Sequence, residues 1–170
     1  MWISKRALAA VTAAAVAAFS MALAVGASGS GGSGSGDNSS PQLESSLAAS
    51  MPGDPSFHGV APGGLPWVLD RGEVRVNDNG LDLRVDGLVI PKPAGDDTPG
   101  GVMTISASLY CGADSETAAA GTTRQVPISR AGHARIRDRG FDVPSTCLAP
   151  VVLVHPNGSP AAYIAVDGAR

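Results

Sequence analysis

Residues 74–85, VRVNDNGLDLRV, decide the fold. Apolar residues alternate with polar ones in the two runs on either side of the central turn. This period of two predicts half-buried β-strands, because successive side chains of a strand point to opposite faces of its sheet. The turn itself, Asn77-Asp78-Asn79-Gly80, is rich in residues that accept the positive φ angles of a tight hairpin. The stretch therefore predicts an antiparallel hairpin with one apolar face and one face in water.

The same period recurs further along the chain, at residues 103–109. A second turn, Pro156–Pro160, separates the runs Val151–His155 and Ala161–Asp167, and the unbroken apolar residues 151–154 are typical of a strand covered on both faces. Further candidate strands are residues 66–71, 87–90, 122–129 and 134–137. About eight short strands without a strong amphipathic helix predict an all-β fold. We expect a two-sheet antiparallel sandwich of immunoglobulin-like size, with a small barrel as the alternative.

The amino end carries the pattern of a secretory signal peptide over residues 1–27. Lys5 and Arg6 precede an uncharged, Ala-rich segment that extends to Ala27. Small residues place cleavage after Ala24 or Ala27. A retained membrane anchor is the alternative, and apart from an uncleaved signal peptide we expect no contact with the membrane.

Residues 28–63 have the composition of a linker. The sequence ASGSGGSGSG at residues 27–36 offers no large apolar side chain to bury, and the stretch up to residue 63 continues with small and polar residues. Residues 28–63 are therefore predicted to be a disordered Gly/Ser-rich linker, with a marginal helix at residues 42–49 where Leu43 and Leu47 are four positions apart. The folded domain is predicted to span residues 64–170.

Composition excludes several classes of protein. The chain has 12 Lys and Arg against 15 Asp and Glu, a formal charge of -3, which argues against a nucleic-acid partner. Two cysteines are too few for a four-cysteine zinc site or a disulfide-dense scaffold. In an exported protein, Cys111 and Cys147 are expected to form a structural disulfide.

Catalytic and cofactor motifs are missing from the sequence. There is no Gly-x-Ser-x-Gly pentapeptide, phosphate loop or dinucleotide fingerprint, and His58, His133 and His155 lack metal-ligand spacing. We therefore predict no catalytic residue, no metal and no cofactor. One alternative is a secreted hydrolase with a dispersed site at His133 or His155. The other is a protease inhibitor that exposes residues 91–101, a stretch more typical of a connection between strands.

Four arginines form the most distinctive charged segment: Arg130, Arg135, Arg137 and Arg139. On a strand, the last three share one face, because alternate side chains point the same way. One interpretation is an anion-binding stripe that attracts an acidic wall polymer or partner. The favoured interpretation is a solvated face, in which the arginines protect an edge strand or pair with Asp82 and Asp86 on a neighbouring strand.

Four segments resemble a group of small secreted proteins of unknown function from high-GC Gram-positive bacteria. They are Pro66–Gly72, Gly87–Pro91, Ser106–Gly112 and Cys147–Gly158. The resemblance implies export and an intact domain over most of residues 64–168, and it implies no catalytic residue. Together these observations predict a secreted, monomeric, non-enzymatic β-sandwich, free or associated with the envelope, which binds an envelope component or a protein partner.

Overall fold

The computed structural model describes residues 42–168, so the predicted signal peptide and the linker up to residue 41 lie outside the described residues. The described part is built from strands and contains no helix, which confirms the all-β prediction. The strands are β1 (Leu43–Ala49), β2 (Ala61–Pro62), β3 (Arg71–Asn77), β4 (Gly80–Asp86), β5 (Thr104–Tyr110), β6 (Gly121–Thr122), β7 (Val126–Pro127), β8 (Ala134–Asp138), β9 (Val151–Pro156), β10 (Ala162–Tyr163) and β11 (Ala165–Asp167).

Two antiparallel layers share strand β1. The first sheet has the order β1-β3-β4-β8, and the second has the order β5-β9-β11-β1, with β6 and β7 each pairing with β5. Residues 43–46 of β1 pair with β3, whereas residues 47–49 pair with β11. The chain of hydrogen-bonded strands is therefore continuous and curls at β1, as expected for a sandwich-like fold. A short parallel pair, β2 with β10, lies outside both layers.

The predicted hairpin joins β3 to β4. Asn77 pairs with Gly80 across the turn, and the register continues to Arg71 opposite Asp86. Gly80 has φ of +124°, and a Cβ atom there would collide with the backbone carbonyl of Asp138. Only glycine meets both constraints, because side-chain-bearing residues rarely adopt this backbone conformation. The hairpin therefore depends on Gly80.

The main core lies between the two layers. Every second residue of the hairpin is buried there, while the residues between them face solvent, which confirms the predicted alternation. The inward side chains of the first sheet include Val74, Val76, Leu81, Leu83, Val85 and Ile136, and those of the second include Ile105, Ala107, Leu109, Val152, Val154 and Ala165.

A second, smaller core covers the outer face of the second sheet. It contains Val60, Tyr110, Leu153, Tyr163 and Val166, and Phe57 packs against it from the loop over residues 51–63. The hydroxyl of Tyr163 donates a hydrogen bond to the carbonyl of Pro55, 2.8 Å away. Strand β9 is thus buried on both faces, as its apolar run predicted.

Several local predictions are wrong. Residues 42–63 are not a linker, and residues 42–49 are not a helix, because β1 is an inner strand with a neighbour on each side. Residues 66–71 and 87–90 are not regular strands; apart from Arg71, which opens β3, they meet at the single bridge Val68–Val89. Residues 122–129 split into the short strands β6 and β7. In each case, partners that are distant in sequence decide the local structure.

Candidate functional site

The outer face of the first sheet carries charged side chains in rows that run across its strands. In one row Glu44 of β1 lies opposite Arg75 of β3, Arg75 lies opposite Asp82 of β4, and Asp82 lies opposite Arg137 of β8. The charges alternate along this row. Opposite charges on facing positions stabilise neighbouring strands modestly, so this row contributes to the stability of the sheet.

Ion pairs connect these rows at short range. Arg75 donates to Glu44 over 2.6 Å, and Arg135 and Arg137 lie 2.9 and 3.3 Å from the same oxygen of Asp82. Two guanidinium groups therefore share one carboxylate. Because all these side chains are substantially exposed, each pair contributes little to stability.

The ion pairs shift the pKa values of Arg75, Arg135 and Asp86. The hydrogen bond to Glu44 raises the pKa of Arg75, and the hydrogen bond to Asp82 raises that of Arg135. Desolvation acts to raise the pKa of Asp86, but hydrogen bonds from Arg84 and His133 outweigh it and hold this pKa below its ordinary value. The arginines and Asp86 therefore stay charged across the physiological range.

A shallow cleft of about 550 Å³ runs over this face, lined by side chains that include Ser46, Glu73, Arg84 and Arg135. Arg84 and Arg135 are directly opposite each other on β4 and β8. Each turns to a different carboxylate, Arg84 to Asp86 and Arg135 to Asp82. The cleft thus presents positive and negative groups side by side.

The structure separates Arg130 from the other three arginines of the predicted stripe. Arg135 and Arg137 project from β8 towards Asp82, which is the pairing that the favoured interpretation expected. Arg139 follows β8 and lines a small cleft of about 300 Å³ together with Arg137. Arg130 lies in the turn between β7 and β8 and lines a different cleft, of about 440 Å³, beside the exposed Met103. Three of the four arginines therefore cluster at the end of the first sheet.

The predicted disulfide is present. Cys111 and Cys147 are bonded to each other and are 36 positions apart in sequence. Both cysteines are half-buried and pack against the main core, so the bridge anchors the segment after β5 to the segment before β9. A disulfide is compatible with an extracellular protein.

His58 occupies a contact that sequence analysis missed. Its ring is buried and stacks on Tyr110 with centroids 4.9 Å apart. Its Nδ1 lies 2.6 Å from the carbonyl of Glu116, and its backbone N–H donates to Asp114 over 2.5 Å. No local pattern predicts these contacts, because their partners are more than 50 positions away. His58 therefore fastens the loop over residues 51–63 to the segment that follows Cys111.

His133 and His155 lie on opposite sides of the sandwich. His133 is exposed and faces Asp86 over 3.2 Å on the outer side of the first sheet. His155 is buried beneath the second sheet's outer covering, where its Nδ1 lies 2.8 Å from the carbonyl of Ala162. Ser106 is directly opposite His155, and both are 1% exposed. Within residues 42–168, no group of three or more His, Cys, Asp or Glu side chains is arranged to hold a metal ion.

The loop proposed for protease inhibition, residues 91–101, is fastened by internal contacts. Lys92 pairs with Asp97, and the backbone of Ile90 bonds with Thr98 and Asp97. The hydroxyl of Thr98 donates to Asp96. These bonds fold the loop back on itself.

Comparison with known proteins gives no relative: no family model, curated protein or solved structure matches the chain. The resemblance to small secreted proteins therefore remains a prediction. None of the described residues lies in a helix long and apolar enough to cross a membrane.

Proposed function

We propose that this protein is a secreted, non-enzymatic β-sandwich module that binds an anionic envelope component or an acidic protein through the arginines at β8. The observation that carries the proposal is the concentration of positive charge there. Arg135 and Arg137 share the single carboxylate of Asp82, and within residues 42–168 Arg139 has no carboxylate partner. The chain as a whole is acidic, so this end of the first sheet is a local exception.

The location of these arginines supports binding. The Arg135 and Arg137 side chains are 46% and 60% exposed, so an incoming anion reaches them without displacing core residues. Several guanidinium groups within one small area attract a polyanion cooperatively, and salt weakens this attraction. The pairs with Asp82 are exposed and contribute little to stability, so an external carboxylate or phosphate, which accepts the same forked hydrogen bonds from guanidinium, can replace Asp82.

The test is co-sedimentation of the protein without residues 1–27 with envelope fragments at low and high salt. The triple variant Arg135→Ser, Arg137→Ser, Arg139→Ser is expected to lose binding at low salt. The matched control, Arg71→Ser, Lys92→Ser, Arg124→Ser, removes the same charge from exposed positions outside β8 and outside the clefts that its arginines line, and it is expected to retain most of the binding. Equal loss in both variants, or no binding by the parent protein, would contradict the proposal.

The non-enzymatic part of the proposal has its own test. The parent protein is screened against ester, peptide and glycoside substrates, with His155→Ala and His133→Ala as paired variants. We expect no turnover, because His155 is buried and its Nδ1 is bound to a backbone carbonyl rather than to a carboxylate. Turnover that either substitution abolishes would overturn it.

A further inference from the structure

A cleft of about 440 Å³ opens between the connection that leads into β5 and the turn that follows β7. Its walls combine apolar side chains with a few polar groups. The apolar side chains include Val102, Met103 and Ile128, and the two charged ones are Asp96 and Arg130. This volume and this mixture of groups are typical of sites that bind small molecules or short peptides.

Met103 gives the cleft an exposed apolar surface. Its side chain is 71% exposed, whereas Val102 is half-buried and Ile128 is 9% exposed, and both of these pack against the main core. A single apolar residue at the surface is common, but one that lies in a cleft beside other apolar side chains can bury an apolar group of a ligand. Methionine suits this role, because its flexible side chain adapts to apolar groups of different shapes.

Arg130 supplies a positive charge that no carboxylate of the described residues neutralises. Among residues 42–168 it forms no ion pair, and Asp96 of the same cleft accepts a hydrogen bond from the hydroxyl of Thr98 instead. Guanidinium binds a carboxylate through two parallel hydrogen bonds. A ligand with one carboxylate therefore gains a charge-assisted contact at Arg130 without breaking an existing pair.

Asp96 favours a ligand that also carries an N–H group. A carboxylate accepts hydrogen bonds and does not donate them, and it repels a second negative charge. A polyanion therefore fits poorly, and a fatty acid has no N–H to donate. A peptide that ends in an apolar residue offers a carboxylate, an apolar side chain and an N–H group within a few bonds of one another.

We propose that this cleft binds the free carboxyl terminus of a peptide whose last residue is apolar. The carboxylate pairs with Arg130, the last side chain packs on Met103, and the last peptide N–H donates to Asp96. The site is additional to the anion-binding function proposed above, because none of the arginines at β8 lines this cleft.

Backbone hydrogen bonds hold the walls of the cleft in place. The N–H of Ile128 donates to the carbonyl of Met103 over 3.1 Å, which joins one wall to the other. The N–H of Met103 donates to Asn157 Oδ1 over 2.8 Å, and the N–H of Ser129 donates to the carbonyl of His133 over 2.9 Å. A cleft that is formed in advance lowers the ordering cost of binding.

The test follows backbone amide chemical shifts of the isotope-labelled protein without residues 1–27 during titration with N-acetyl-alanyl-leucine. A dipeptide makes few contacts, so a millimolar dissociation constant and shifts at the amides that line the cleft are expected. Two analogues dissect the contacts: the C-terminal amide lacks the negative charge, and the depsipeptide has an ester oxygen in place of the last N–H. Each is expected to bind about tenfold more weakly than the dipeptide.

Variants assign these losses to residues. Arg130→Gln is expected to weaken dipeptide binding about tenfold and to remove the preference for the free carboxylate over the amide. The matched control, Arg124→Gln, removes the same charge from an exposed residue outside the cleft and is expected to bind like the parent. The difference between dipeptide and depsipeptide is expected to disappear in Asp96→Ala, because this variant has no carboxylate to accept the N–H.

The apolar contact has its own pair of variants. Met103→Ser is expected to weaken binding, whereas Leu148→Ser, at a residue that is 72% exposed and outside the cleft, is expected to leave it unchanged. Circular dichroism and melting curves show that each variant remains folded, which is expected because the substituted side chains are exposed.

Several outcomes would overturn the proposal. They are equal binding of the free acid and the amide, equal loss in Arg130→Gln and Arg124→Gln, and no shift of the cleft amides at tens of millimolar dipeptide. Hexanoate that binds as tightly as the dipeptide and depends equally on Arg130 would show that the ligand is an apolar carboxylate rather than a peptide. The triple variant at β8 is expected to bind the dipeptide like the parent, and loss of binding there would place the dipeptide at β8 instead.

Discussion

Substitution of Leu47 by alanine tests the most consequential difference between the prediction from sequence and the structure. Leu47 lies in β1, is 8% exposed and belongs to the main core. It packs so closely over Gly72 of β3 that a Cβ added at Gly72 would lie 2.7 Å from the Cβ of Leu47. If residues 28–63 were a linker, this side chain would contact nothing and its removal would leave the free energy of unfolding unchanged.

The expected cost follows from the atoms removed. Leu→Ala deletes three carbons, each worth about 0.8 kcal/mol of transfer free energy, and incomplete collapse of the site adds a cavity term. The free energy of unfolding is expected to fall by about 3 kcal/mol. For a domain of this size, that lowers the melting temperature by roughly 10 °C.

The assay is urea unfolding followed by tryptophan fluorescence, with Leu148→Ala as the matched control. Leu148 is 72% exposed, so the same chemical change there is expected to cost less than about 0.5 kcal/mol. Equal midpoints for the two variants would refute the reasoning that β1 is an inner strand, because burial is the main difference between the two leucines.

Three further predictions concern the disulfide, the hairpin and a buried histidine. The double variant Cys111→Ser, Cys147→Ser removes a crosslink across 36 positions and is expected to lower the free energy of unfolding by about 4 kcal/mol in a urea titration. Reductant is expected to shift the midpoint of the parent protein to that of the variant. Gly80→Ala is expected to cost more than about 3 kcal/mol in the same titration, whereas an alanine at Gly101, where φ is ordinary and nothing lies within 4 Å, is expected to be nearly neutral; similar costs would contradict the role of Gly80. Desolvation lowers the pKa of buried His155, so the unfolded chain binds protons more readily, and stability should fall below about pH 6.5 by up to about 1.4 kcal/mol per pH unit; His155→Asn should flatten this dependence, and an unchanged slope would exclude His155 as its source.

Local sequence patterns predicted the structure correctly where the residues of one segment determine its conformation. The hairpin at residues 74–85 combines alternation with turn residues that tolerate positive φ, and its pairing follows from chain connectivity. The pairing of Cys111 with Cys147 follows from having two cysteines in a chain that is predicted to be exported. The unbroken apolar run at residues 151–154 correctly predicted a strand that is covered on both faces.

Distant contacts explain what the sequence did not reveal. The i, i+4 spacing of Leu43 and Leu47 is compatible with a helix, and only pairing with β3 and β11 decides for a strand. The loop over residues 51–63 is polar and Gly-rich, yet His58 and Tyr163 hold it against the second sheet. Such contacts have no periodic signature, so composition made an ordered cover look like a linker.

The candidate site was likewise predicted only in part. Alternation correctly placed Arg135 and Arg137 on one face, and the pairing with Asp82 on a neighbouring strand is confirmed. Sequence alone did not show that one carboxylate serves two guanidinium groups. It also did not show that β8 is an edge strand, because that depends on the order of strands in the sheet.

The two outer faces of the sandwich direct binding to one place. The outer face of the second sheet is covered by the loop over residues 51–63 and its small core, so ligands have no access to that sheet's side chains there. The outer face of the first sheet is open, but across its middle Glu44 and Asp86 already have arginine partners. An incoming charged group in the middle must break an existing pair for each one it makes. At β8 the arginines outnumber their carboxylate partners, so contacts there are gained without an equal loss.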